Sequence, residues 1–94
     1  MKKYFITFSG ASGTLSSEKH LCDYIRRTFD ACVVSESRIG DIKQMIETEQ
    51  ERFLLTHKAA RSVDVRIING YTGTMFINVG QMSICLKEIK KEYL

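Results

Sequence analysis

The residues best suited to chemistry in this chain gather early, at Ser9-Gly10-Ala11-Ser12-Gly13-Thr14. Two glycines among hydroxyl side chains make a turn whose backbone N–H groups can face an anion, the more so when a helix starts directly after it. Ser9, Gly10, Ser12, Gly13 and Thr14 are therefore candidates for a phosphate or carboxylate site. The pattern is no nucleotide fingerprint. A P-loop ends in Gly-Lys-Ser/Thr, whereas Gly13 is followed by Thr14, and the dinucleotide pattern G-x-G-x-x-G is absent. Gly10-Ala11-Ser12-Gly13 has the GxxG spacing of one RNA-binding module, but that loop joins two helices and this one follows a strand. A flexible connection with an ordinary helix cap accounts for the same residues.

Catalytic sets are thin. His20 and His57 are the two histidines of the chain. Ser9 or Ser12 as nucleophile, His20 as base and Asp23 as orienting group form a triad by residue type, yet no nucleophile elbow accompanies them. A surface histidine in the first turn of a helix is the simpler account of His20. Neither histidine has a cysteine or acidic residue at zinc-ligand spacing, so no metal and no cofactor is expected. Glu47, Glu49 and Glu51 do not share one helical face and read as a solvated side, not a carboxylate pair. No residue is assigned a catalytic role.

The basic residues carry the other site. Arg26, Arg27, Lys58, Arg61, Arg66, Lys87, Lys90 and Lys91 would contact phosphates or an acidic partner if several of them converge, and Tyr71 could stack on a base or anchor an interface. Overall, 14 Lys and Arg face 11 Asp and Glu, a net charge of +3. The distribution is less even. Residues 1–35 carry five bases and three acids, 36–51 two and five, and 52–94 seven and three. An acidic stretch flanked by basic ones suits a protein with one negative and one positive surface. A pI near 8.8 lies below the value above 9 typical of dedicated nucleic-acid domains.

Several elements must position these groups. Lys3-Tyr4-Phe5-Ile6-Thr7-Phe8 is aromatic and β-branched, the composition of a buried strand. A helix follows the Ser/Gly loop, with Ser16 able to cap it, Glu18 in its first turn, and Leu21, Tyr24, Ile25, Thr28 and Phe29 at helical spacing. Ala31-Cys32-Val33-Val34 reads as a second strand, so the chain opens with a βαβ unit whose crossover should be right-handed. A second helix opens at Gly40-Asp41, with Ile42, Met45, Ile46 and Phe53 as candidates for one face, and Phe53-Leu54-Leu55-Thr56 either ends this helix or forms a short strand, the strand being favoured. Val63, Val65 and Ile67 alternate with polar residues, Asn69-Gly70 signals a hairpin, and Met75–Val79 returns. Met82, Cys85, Leu86, Ile89 and Tyr93 recur at helical spacing, predicting a C-terminal helix with Lys87, Lys90 and Lys91 outside.

The expected fold is α+β: a two-layer sandwich of a small mixed sheet of three to five strands with two or three helices. Its opening resembles ferredoxin-like modules at the level of fold alone, which does not fix a function. At 94 residues, 44% apolar and 27% charged, the chain is expected to form one compact domain. A domain this small buries only about 60–65% of its unfolded surface, and a homodimer would bury more. No segment approaches the roughly 20 apolar residues of a membrane span, and Tyr4–Phe8 is too short for a signal-peptide core. A cytoplasmic location without a membrane partner is expected. Cys22, Cys32 and Cys85 are expected to be small buried hydrophobes.

Three functions follow in order. The first is a small non-enzymatic intracellular binding protein with a regulatory or inhibitory role, docking on a nucleic-acid-processing protein or nucleoprotein complex. The second is a module binding RNA or DNA directly through its basic face. The third is a small phosphate- or nucleotide-handling enzyme built on the Ser9–Ser17 loop.

Overall fold

The protein, seen as a computed structural model, is described over residues 2–10, 16–30, 33–71 and 73–90. Strand β1 (Lys3–Ser9) leads to helix α1 (Ser16–Phe29), strand β2 (Val33–Ser35), a 3₁₀ turn at Glu36–Arg38 and helix α2 (Ile39–Thr56). Strands β3 (Val65–Asn69), β4 (Thr74–Val79) and β5 (Met82–Glu88) follow. The five strands make one sheet in the order β2-β1-β5-β4-β3, with every neighbouring pair antiparallel.

Each element has a local cause. In α1, Leu21, Cys22, Ile25 and Phe29 fall on one stripe and are buried, with Glu18 in the first turn and Arg26 and Arg27 in the last, matching the helix dipole. In α2, Ile39, Ile42, Ile46 and Gln50 repeat at spacings of three and four and form its buried stripe. The strands bury one parity: Tyr4 and Ile6 in β1, Ile77 and Val79 in β4, Met82, Ile84 and Leu86 in β5. All of these belong to one core cluster with the helical stripes. Both helices therefore cover the same face of the sheet, and the structure is a two-layer α+β sandwich. Each fully buried Ile or Leu contributes about 1.5–3 kcal/mol through removal from water.

Polar groups inside this layer are matched. The Gln50 amide donates to the Val63 carbonyl at 3.2 Å and accepts the Val63 N–H at 2.7 Å, so one side chain docks the α2–β3 connection as a strand neighbour would. The Ser17 hydroxyl donates to the Arg61 carbonyl, fastening the same connection to α1. Glu18, 4% exposed, accepts the Gln81 N–H at 2.6 Å and so holds the β4–β5 turn. That two-residue turn needs Gly80, whose φ of +60° is left-handed.

The structure corrects the sequence reading at four points. The sheet is antiparallel, not mixed. The opening strand–helix–strand run is present, but β2 lies antiparallel to β1, so the handedness rule for parallel crossovers does not apply. Residues 53–56 end α2 and make no strand. Residues 82–88, expected to be helical, are β5. There, 82-84-86 at period two competes with 82-85-86 at helical spacing, and pairing with both β1 and β4 decides the outcome. The element order also differs from the β-α-β-β-α-β of ferredoxin-like modules. Among the described residues, no helix is long and apolar enough to cross a membrane.

Candidate functional site

With both helices on one face, the other face of the sheet has no second layer over it among the described residues. Strand parity states what it displays. From β1 come Lys3, Phe5, Thr7 and Ser9, opposite in parity to buried Tyr4 and Ile6. From β5 come Ser83, Cys85 and Lys87; from β4, Thr74, Phe76 and Asn78; from β3, Arg66 and Ile68; from β2, Val33 and Ser35. The register assembles three cross-strand rows. Val33, Phe5, Lys87 and Thr74 form the first; Thr7, Cys85, Phe76 and Ile68 the second; Ser9, Ser83, Asn78 and Arg66 the third.

This face combines rings, cations and hydrogen-bonding groups. Phe5 is 44% exposed and directly opposes Lys87; Phe76 is half-buried one row away on the far side of β5. Two strand spacings and two residues of rise separate the two phenylalanines by about 12 Å. Ser83 donates to the Asn78 amide oxygen at 2.7 Å, and the Ser9 hydroxyl lies 3.5 Å from the Cys85 sulfur. Within the described strands, every charged side chain on the outward parity is a cation: Lys3, Arg66 and Lys87. Acids sit elsewhere. Glu18, Asp23, Asp41, Glu47, Glu49 and Glu51 are all on the two helices, and the one strand carboxylate, Glu88, has the inward parity. At the edge, Asp64 meets Arg66 at 3.2 Å, but both are more than two-thirds exposed, so the pair is weak and water-screened. A cavity of about 380 Å³ opens beside this edge, lined by Arg66, Ile68, Asn78, Asp64 and Glu18 among others.

The basic residues singled out from sequence divide between two surfaces. Arg66 and Lys87 join the sheet face, and exposed Lys90 follows directly after β5. Lys87 therefore stands on a strand, not on the outside of a last helix. Arg26 and Arg27 project from α1 on the helical layer, where Arg26 reaches the Gly10 carbonyl at 3.5 Å and Arg27 the Asp23 carbonyl at 3.4 Å. Lys58 and Arg61 are exposed in the α2–β3 connection, which α1 and α2 hold. Tyr71, 90% exposed, tips the β3–β4 turn at the end of the sheet where Phe5, Lys87 and Lys3 lie. Lys91 lies outside the described residues, as do Ser12, Gly13 and Thr14 of the candidate anion loop. Of that loop, Ser9 ends β1 and Gly10 follows with φ +85°, packed so closely on Gln81 that a Cβ would collide with its carbonyl.

The histidines are not isolated surface groups. His20 Nε2 lies 2.8 Å from Glu49 Oε2, and its ring stacks on Phe53 with centroids 4.4 Å apart. Phe53 stacks in turn on His57 at 4.0 Å, and Glu49 also meets Arg52 at 3.3 Å. This ladder lines an open cavity of about 360 Å³ between the start of α1 and the end of α2. Glu49 is thus engaged, not merely solvated. Among the described residues His20 contacts Glu49 and Phe53 and neither Asp23 nor Ser9, while Ser12 lies outside them; the neighbouring hydroxyl, Thr56, donates to the Phe53 carbonyl and sits 2.9 Å from His57 Nδ1 as part of the α2 C-terminus. The ladder clasps α1 to α2. Among the described residues, no cluster of three His, Cys, Asp or Glu is placed to hold a metal ion.

Of the cysteines, Cys22 is buried as expected, and desolvation, then the Glu18 charge, pushes its thiol above the ordinary value. Cys85 instead lies half-buried on the sheet face, and Cys32 is outside the described residues. The sequence reading missed Phe5, Phe76 and Lys3 as site residues. Alternation within 3–8 and 82–88 was the available signal. Comparison with protein-family models, curated proteins and solved structures finds no match to this chain.

Proposed function

We propose that the protein is a small non-enzymatic binding module, that its binding surface is the uncovered sheet face, and that its partner is polyanionic: nucleic acid or a nucleoprotein complex. The observation that supports this reading is the partition of charge across the two layers. Lys3 and Lys87 share the sheet face with no carboxylate among the strand residues of that parity, and Arg66 joins them at the edge beside exposed Asp64, while six acids and five bases mix on the helices. A predominantly cationic face beside a mixed one steers a polyanion to that face and fixes its orientation. A regulatory or inhibitory role fits a module that occupies such a partner without transforming it.

Elution from immobilised heparin tests this reading. The Lys3→Glu/Lys87→Glu variant should elute at much lower salt than the parent, and Arg26→Glu/Arg27→Glu, on the helical layer, close to the parent. Equal shifts for both variants, or a shift only for the helical one, would remove the sheet face from consideration.

A further inference from the structure

We infer that the sheet face binds an unpaired nucleic-acid strand, stacking bases on Phe5 and Phe76 and placing the phosphates between them against Lys87, with Lys3 and Arg66 to either side. This rests on the reading of the sheet face as a polyanion site and names its occupant.

Three features separate a single strand from other polyanions. The first is the two rings. Phenylalanines on the wet side of a small domain cost solubility and add nothing to the core, whereas a flat ring beside a cation is what an unpaired base and its phosphate need. Phe5 opposes Lys87 directly, and Phe76 packs across the same strand one row on. The second is spacing. About 12 Å between the rings matches three to four nucleotides at a stacked rise of about 3.4 Å, or fewer once the strand is extended, so one strand can reach both rings. The third is what surrounds them. Thr74 and Thr7 lie in the rows of Phe5 and Phe76, with Ser83 and Asn78 in the next row; beyond the Thr74–Tyr71 and Ser83–Asn78 hydrogen bonds they offer hydroxyl oxygens and the Asn78 amide N–H groups to base edges, and Tyr71 extends the aromatic set at the β3–β4 turn. A duplex presents phosphates but hides the faces of its bases, so it would use the cations and leave the rings idle. A protein partner would also bury aromatic rings, but it would show neither a preference for single strands over duplex nor the salt slope of phosphate contacts.

Fluorescence anisotropy with labelled 12-mers of dT and rU, and with a 12-base-pair duplex, tests the inference across 50–300 mM salt. The 12-mers should bind more tightly than the duplex. Log K should fall against log salt with a slope of about −2, from three phosphate contacts at about 0.7 each, and Lys87→Gln should flatten it by about 0.7. Phe5→Leu keeps an apolar side chain and removes the ring, and it should weaken single-strand binding about ten-fold with the duplex unaffected. Phe76→Leu should do the same, with circular dichroism confirming the fold, because the Phe76 ring also packs over Gly70. Equal binding of duplex and single strands with no effect of Phe5→Leu would overturn the stacked strand while leaving the polyanion face standing. Failure of all three probes, with heparin elution still dependent on Lys3 and Lys87, would likewise overturn the single strand and direct attention to an acidic protein. Failure of probes and heparin together would overturn both.

Discussion

Gln50 offers a test of how the sheet face is held in place. Its side chain is 9% exposed and makes two hydrogen bonds to the backbone of Val63, one in each direction, at 2.7 and 3.2 Å. Gln50→Leu keeps nearly the same volume and removes both. A buried backbone donor or acceptor left without a partner costs about 1–3 kcal/mol. Val63 is only half-buried, so water relieves part of that penalty, and the leucine regains some apolar burial. The low end of the range then applies to each group, giving a net loss of about 1–2 kcal/mol. For a domain of this size that lowers Tm by roughly 4–16 °C. Urea unfolding followed by circular dichroism gives the total, and amide exchange of Val63 gives the local share. Val63 should lose protection first, followed by β3, which starts two residues later and carries Arg66 and Ile68. Gln50→Glu isolates the geometry: it still accepts the Val63 N–H but sets a carboxylate against the carbonyl, and should also destabilise at neutral pH. A Leu variant within about 0.5 kcal/mol of the parent, with Val63 exchange unchanged, would show that the connection is held by something other than Gln50.

Two further predictions concern backbone and thiol. Gly40 and Gly80 should respond to alanine with opposite signs. A Cβ at Gly40, in the first turn of α2, meets nothing within 4 Å and should stabilise by about 0.5–1 kcal/mol, whereas at Gly80 it lands on the Glu18 carboxylate at a φ of +60° and should cost about 1–3 kcal/mol. Thermal unfolding of the two variants decides, and a stabilised Gly80→Ala would contradict the turn geometry. For Cys22, the raised folded-state value means that the unfolded chain ionises first, so its contribution to stability is present below about pH 8.5 and is lost as pH rises through the folded value. Iodoacetamide mapping by mass spectrometry at pH 8 should label Cys85 before Cys22, with Cys22 reacting at the rate of opening; the reverse order would refute its burial.

The helical layer was legible where the pattern was one-dimensional. Leu21, Ile25 and Phe29 declare α1 by spacing alone, and the acidic stretch 36–51 falls almost wholly within α2, so its excess of carboxylates on the helical layer follows from sequence. Strand faces were harder. In 3–8, apolar residues occupy both parities, Tyr4 and Ile6 inside and Phe5 outside, so composition reads as a strand buried on both sides when one side is wet. In 82–88 the same doubling let a helical spacing compete with a strand, and no local rule could choose.

The sheet face was invisible for a different reason. Its residues come from five strands, and Phe5 meets Lys87 only because β5 pairs antiparallel with β1 across most of the chain length. Register of that kind is set by burying one face of each strand against the helices and by the turns at Gly80 and after Asn69, not by anything near Phe5. Segment charge could not reveal it either. The basic stretch 52–94 sends Arg66 and Lys87 to the sheet face and Lys58 and Arg61 to the connection held by the helices, while Lys3 joins the sheet face from the other end of the chain. The cationic face is therefore a product of topology. It would vanish if the last element were the helix its spacing first suggests, because Lys87 would then lose its place opposite Phe5. A mutation that shifts the β1–β5 register by one residue should abolish polyanion binding even if it removes no charge.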